Sequence, residues 1–166
     1  MSTVNVSVYS SAQTVVFVAT KMLNHLQWIV RESGLSPAKL TREWDVLEDG
    51  ISTWLGSRHL KEVYLEIYNP VTDALVKRWD LTVVYDWTGD GTLRTDTEAL
   101  RYHILKAGVV PSKCDYRIVV DNHPGAEKLL GWGMTSLLST AGFSRHSIGT
   151  TIGASGLGSN TSYLAK

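Results

Sequence analysis

Asp115-Tyr116-Arg117-Ile118-Val119-Val120-Asp121 is an apolar, β-branched run between two acids, the composition of a strand. About forty residues of a different character follow it. From Gly131 to Lys166 only Arg145 and Lys166 carry charge, while seven positions are Gly and twelve are Ser or Thr. Such a segment is too polar for a core and too uncharged for an ordinary disordered tail. It nevertheless carries anchors, Trp132, Leu137, Leu138, Phe143, Ile148, Ile152, Leu157 and Tyr163, with which it can lie down on an apolar surface. A strand at a sheet edge presents unpaired N–H and C=O groups that accept another extended segment. The pattern therefore allows a peptide-accepting edge with a movable cover, or a central strand with a tail that pads the surface.

Working outward, Val15, Val18, Ala19, Met22, Leu26, Ile29 and Val30 recur at helical spacing, with Gly34 placed as a C-terminal cap. Ser36-Pro37 opens a second helix whose buried stripe is Leu40, Trp44, Leu47, Ile51, Trp54 and Leu55. Gly56 is expected to end it, and Gly50 is a point of bending or interruption. Val63, Leu65 and Ile67 alternate with Glu62, Tyr64, Glu66 and Tyr68 up to Asn69-Pro70, and residues 75–85 repeat the alternation. That predicts an antiparallel hairpin. Thr95-Asp96-Thr97-Glu98 fits a capping box for a third helix carrying Leu100, His103, Ile104 and Ala107, ended by Gly108. Val4, Val6 and Val8 alternate in an N-terminal strand or extended arm. Helices, a hairpin, a helix and a strand without βαβ repeats imply an α+β domain, helices on one face of a mostly antiparallel sheet.

The 166 residues suit one domain, and sixteen basic residues balance sixteen acidic ones, so no global field favours nucleic acid or a membrane surface. No apolar run approaches the roughly 20 residues of a membrane helix. One cysteine, Cys114, excludes an internal disulfide framework, and the expectation is a soluble cytoplasmic protein. Asp86 to Gly91 resembles the opening of a calcium loop but has Thr88 at its third position and Thr97 where the bidentate Glu belongs. The run Gly153 to Ser159 lacks the lysine of a phosphate loop and reads as flexible. The five histidines and Cys114 have neither metal-ligand spacing nor a nucleophile elbow. No enzyme, cofactor or metal is expected.

Across nearly its whole length the chain resembles a known family. The residues that carry this are KMLNHLQWIVRESGLSPAKL (21–40), EWDVLEDGISTWLGSRHL (43–60), RWDLTVVYDWTGDG (78–91), CDYRIVV (114–120) and GFSRHSIGTTIGASGLGSNTSY (142–163). They are similar to the first of the bacterial HORMA-domain families, encoded beside cGAS/DncV-like nucleotidyltransferases in CBASS anti-phage operons. The resemblance implies a three-helix, antiparallel-sheet body divided into an N-terminal arm (1–10), a core (11–124) and a C-terminal safety belt (125–166). It implies that a closure peptide adds to Asp115, Tyr116, Arg117, Ile118, Val119, Val120 and Asp121. The belt, anchored by Trp132, Leu137, Phe143, Ile148, Ile152 and Tyr163, would then wrap over the peptide. The implied partners are the nucleotidyltransferase, switched on by the closed form, and an AAA+ ATPase that reopens the domain from its N-terminus. A second HORMA protein is a further implied partner, with Val4, Val6 and Val8 as handle or closure segment.

Overall fold

The computed structural model describes residues 11–88 and 92–166; the arm carrying Val4, Val6 and Val8 lies outside the described residues, as does the Gly89-Asp90-Gly91 turn. Helix α1 spans Ser11–Glu32 and buries Val18, Ala19, Met22, Leu23, Leu26, Ile29 and Val30. Its end is a Schellman turn: Gly34 has φ +90°, and the Leu35 N–H donates to Val30 O at 3.1 Å. The expected second helix divides at Glu43 (φ −94°, ψ 5°), into α2, Ala38–Arg42, and α3, Trp44–Gly56. Gly50 does not interrupt α3. Gly56 ends it, as expected, and the left-handed position follows at Arg58 (φ 63°), whose neighbour His59 donates its N–H to Trp54 O at 2.9 Å. The Arg58 side chain stacks on the Tyr85 ring and pairs with Asp86 at 2.8 Å.

Among the described residues the sheet has six strands: β1 Leu60–Tyr68, β2 Leu75–Tyr85, β3 Arg94–Thr95, β4 Asp115–Asn122, β5 Ser144–Ala154 and β6 Leu157–Ala165. Their spatial order is β3-β5-β6-β2-β1-β4, and every pairing is antiparallel. One face carries Val63, Leu65, Ile67, Trp79, Leu81 and Tyr163 into a core shared with α1 and α3. Helix α4, Thr97–Ala107, packs beside α1 and β5. Its cap is Asp96, which accepts the Ala99 N–H at 3.0 Å, rather than the expected Thr95, which is committed to β3.

The tail is more ordered than its composition suggests. After an irregular stretch, residues 123–143, it forms the β5–β6 hairpin, and β6 completes the sheet against β2. The glycine-rich run expected to be flexible is the paired ends of β5 and β6 around a two-residue turn, Ser155-Gly156. Gly153 and Gly158 lie under the Trp87 ring, where a Cβ on Gly153 would meet the ring at 2.6 Å.

Candidate functional site: a sheet edge inside a loop

Among the described residues β4 is an edge strand whose pairing is with β1, from Tyr68↔Asp115 to Leu60↔Asn122. Side chains take the Tyr116 N–H and C=O, through Asp115 Oδ1 and Lys39 Nζ, so the outer row of backbone groups left without a described strand partner begins beyond Tyr116, along a stretch that is regular because the one register shift falls at the Leu60/Glu62 end. The opposite edge differs. Among the described residues β5 is covered by β3 only at Ile152 and Gly153, and two register shifts, at Ser147/Gly149 and Thr150/Ile152, break the rest. Bulges of this kind discourage strand addition. Of the two edges, β4 is the one shaped to receive a strand.

Tyr116, Ile118 and Val120 face the core side of β4, opposite Ile67, Leu65 and Val63. The Tyr116 hydroxyl fixes the start of the strand to α2, donating to Ser36 O at 2.8 Å and accepting the Leu40 N–H at 3.2 Å. Lys39 adds a bond to Tyr116 O at 2.7 Å. Beyond the end of β4 the chain turns back and runs alongside the free edge. Between the two lies a groove of about 560 Å³, walled by Ile118, Val120 and Asn122 on one side and Ala126, Leu129 and Trp132 on the other, with Trp54 beneath. The rims of the groove are Asp121, Glu127, Lys128 and Thr135. Asn122 brings a buried Oδ1 with no hydrogen-bond partner among the described residues.

The outer wall is docked on α3. Trp54 and Trp132 meet edge to face, with centroids 5.0 Å apart; Trp54 Nε1 donates to Glu127 O at 2.8 Å and Trp132 Nε1 to Val46 O at 3.2 Å. Gly50 makes room for this, because a Cβ there would lie 2.5 Å from Trp132 Nε1. Gly131 (φ +91°) does the same against Val46. Apolar side chains on the wall remain uncovered, Leu130 at 98% and Met134 at 101% exposure.

From Thr135 the irregular chain crosses the sheet face opposite the helices. Glu66, fully buried, stands directly between Arg78 on β2 and Arg117 on β4. Its carboxylate accepts Arg117 Nε and the Leu138 N–H, both at 2.7 Å. Arg117 also donates to Thr135 Oγ1 at 2.9 Å and Ser136 O at 2.5 Å. A second buried carboxylate, Asp80, is held bidentately by Arg78 and accepts Arg145 Nη1 at 3.1 Å, fixing the start of β5. Sequence alternation predicts a wet face for Glu66, Arg78 and Asp80; the crossing segment is what buries them.

The family described as Bacterial HORMA domain 2 matches residues 1–166. The chain belongs to the bacterial HORMA domains. The numbered family is the second, where the sequence resemblance points to the first. Solved structures agree on the fold. One is the mitotic checkpoint complex, whose matching chain is 11% identical over 89% of this chain and 98% of that one, with TM-score 0.72. Another is C. elegans HTP-2 bound to a HIM-3 closure motif, 12% identical over 100% and 99%, with TM-score 0.72. A third is the E. coli MS115-1 CdnC:HORMA-deltaN complex, 14% identical over 98% and 93%, with TM-score 0.60. Nothing among curated proteins matches the chain.

In this HORMA domain the expected strand residues Asp115 to Asp121 all fall in β4. Among the tail anchors, Ile152 and Tyr163 are core residues of β5 and β6, while Trp132 docks on α3. Phe143 and Ile148 are half-buried, and Leu137 is largely exposed. Sequence reading misses Glu66, Asp80 and Gly50, whose roles depend on what the tail places over them. Among the described residues no group of three His, Cys, Asp or Glu side chains could hold a metal. Cys114 is a poor nucleophile, since burial pushes its thiol up. Among the described residues no helix is long and apolar enough to cross a membrane.

Proposed function

We propose that this protein is a peptide-sensing signalling adaptor in which an extended closure peptide adds to the outer edge of β4 beneath a belt formed by residues 125–166. The observation that carries this is the groove: a regular strand edge that no described strand covers, an apolar wall with Trp54 and Trp132, and a chain crossing that encloses both. Family membership supports it, as does the likeness to a HORMA protein bound to a closure motif. In the proposed mechanism the peptide binds the closed arrangement better than any other and so shifts the belt's population towards it. The closed form then docks and activates a cGAS/DncV-like nucleotidyltransferase, and an AAA+ ATPase reopens it from the N-terminus. The complex of an E. coli HORMA protein with CdnC supports the first of these partners.

Affinity selection from a random peptide library on the purified protein tests the reading. Enrichment of one extended motif is expected, with new protection of residues 123–143 from proteolysis. Single prolines at Ile118, Val119 and Val120 separate the two rows of N–H groups. Where the N–H faces β1 the fold suffers; where it faces outward the fold survives and capture is lost. Folded, monodisperse outward-row variants that capture the selected peptide as well as the parent would overturn strand addition.

A further inference from the structure

The belt can admit a peptide laterally only if the loop around the β4 edge opens, and the structure shows where that loop is fastened. It leaves β4 at Asn122 and returns to β4 itself at Arg117, whose guanidinium holds Thr135 and Ser136. Twelve residues, 123–134, lie between. Extended, they reach roughly 40 Å, while β4 from Arg117 to Asn122 spans about 17 Å. The ring so formed has slack for one extended strand beside β4 but not for a folded domain carrying that strand. We propose that Arg117, positioned by the buried Glu66, is the clasp at which this ring opens, and that its release gates peptide exchange.

Three features single out this point. Arg117, on β4, touches the returning chain while gripping a neighbouring strand, through Nε to Glu66 Oε1 at 2.7 Å. Glu66 uses its other oxygen to take the Leu138 N–H, so one carboxylate orders the clasp and receives the next residue of the belt. The Arg117 side chain is 29% exposed, whereas that of Glu66 is 0% exposed, so water can compete for the arginine's bonds to the belt while its seat stays fixed. By contrast the Asp80–Arg145 attachment lies beyond the ring, and its release leaves the ring closed. The Trp132 contact forms part of the wall, not the closure.

The inference rests on the peptide reading for its consequence but not for its geometry, and two measurements keep them apart. In the peptide-free protein, hydrogen exchange of the Leu138 amide should quicken at least roughly tenfold in Arg117→Ala, as expected for charge-assisted bonds lost. Arg117→Lys should not restore it, since a single ammonium cannot reach Glu66, Thr135 and Ser136 together. For the fluorescein-labelled form of the peptide most enriched by selection on wild type, association and dissociation should both accelerate by similar factors. Affinity should move far less than either rate. Unchanged Leu138 exchange in a folded Arg117→Ala, or faster exchange with unchanged peptide rates, overturns the clasp. A selection that yields no peptide overturns the function proposed above, while the exchange measurement still decides whether Arg117 fastens the belt. Glu66→Gln, which keeps the shape and removes the charge, is expected to follow Arg117→Ala in exchange.

Discussion

Replacing Gly50 by Ala separates the stability of the body from the docking of the belt. Gly50 lies inside α3, where alanine is favoured by about 0.5–1 kcal/mol through helix propensity. The new methyl, however, would sit 2.5 Å from Trp132 Nε1 and 2.6 Å from Cε2 and Cζ2. Carbon contacts settle near 3.5–4.0 Å, so the rigid ring must retreat by about 1 Å. That displacement loosens the edge-to-face pair with Trp54, worth about 0.5–1.5 kcal/mol, and the bond to Val46 O, worth a similar amount. The helix gain is present whether the wall is docked or not, so docking alone should weaken by about 1–3 kcal/mol, roughly 5- to 150-fold. Trypsin cleavage after Lys128 reads the undocked population directly when reclosing is fast. Gly50→Ala should therefore be cut faster by that factor while thermal unfolding of the body is unchanged or slightly raised. Trp132→Ala should show the same cleavage without the helix gain. Unaltered cleavage in both variants would refute the claim that Trp132 holds the wall.

Three further outcomes follow from the packing. His25 is buried, and burial, then the Lys21 charge, push its pKa down from 6.5 to about 4. The unfolded chain binds more protons between those values, so this contribution is intact above pH 6.5 and is lost as pH falls towards 4, by about 3 kcal/mol in all. His25→Gln should flatten that part of the difference in melting temperature between variant and parent across pH 4 to 7. Tyr116→Phe should cost about 1–2 kcal/mol in urea unfolding, because it leaves the Leu40 N–H and Ser36 O without their partner at the β4–α2 junction. Gly153→Ala should destabilise by about 1–3 kcal/mol through overpacking against Trp87, and a double-mutant cycle with Trp87→Ala should recover most of the loss.

The elements were legible because their signals are local. The 3.6-residue stripe of α1, the alternation of β1 and β2 and the apolar run of β4 each lie within a dozen or so residues and each report which face is buried. The break at Glu43 and the left-handed Arg58 were not legible, since no glycine or proline marks either and both are set by what the flanking helices and Tyr85 require. The sequence by itself determined that β4 is an apolar strand followed by an uncharged, anchor-bearing tail. Only the tertiary structure decided that the tail crosses the sheet to become β5 and β6, leaving β4 as an open edge. The same crossing turned Glu66 and Asp80 from expected surface acids into buried acceptors. A carboxylate's burial depends on which distant segment covers it, and the segments that meet at Glu66, residues 117 and 135–138, are brought there by strand order and not by sequence spacing.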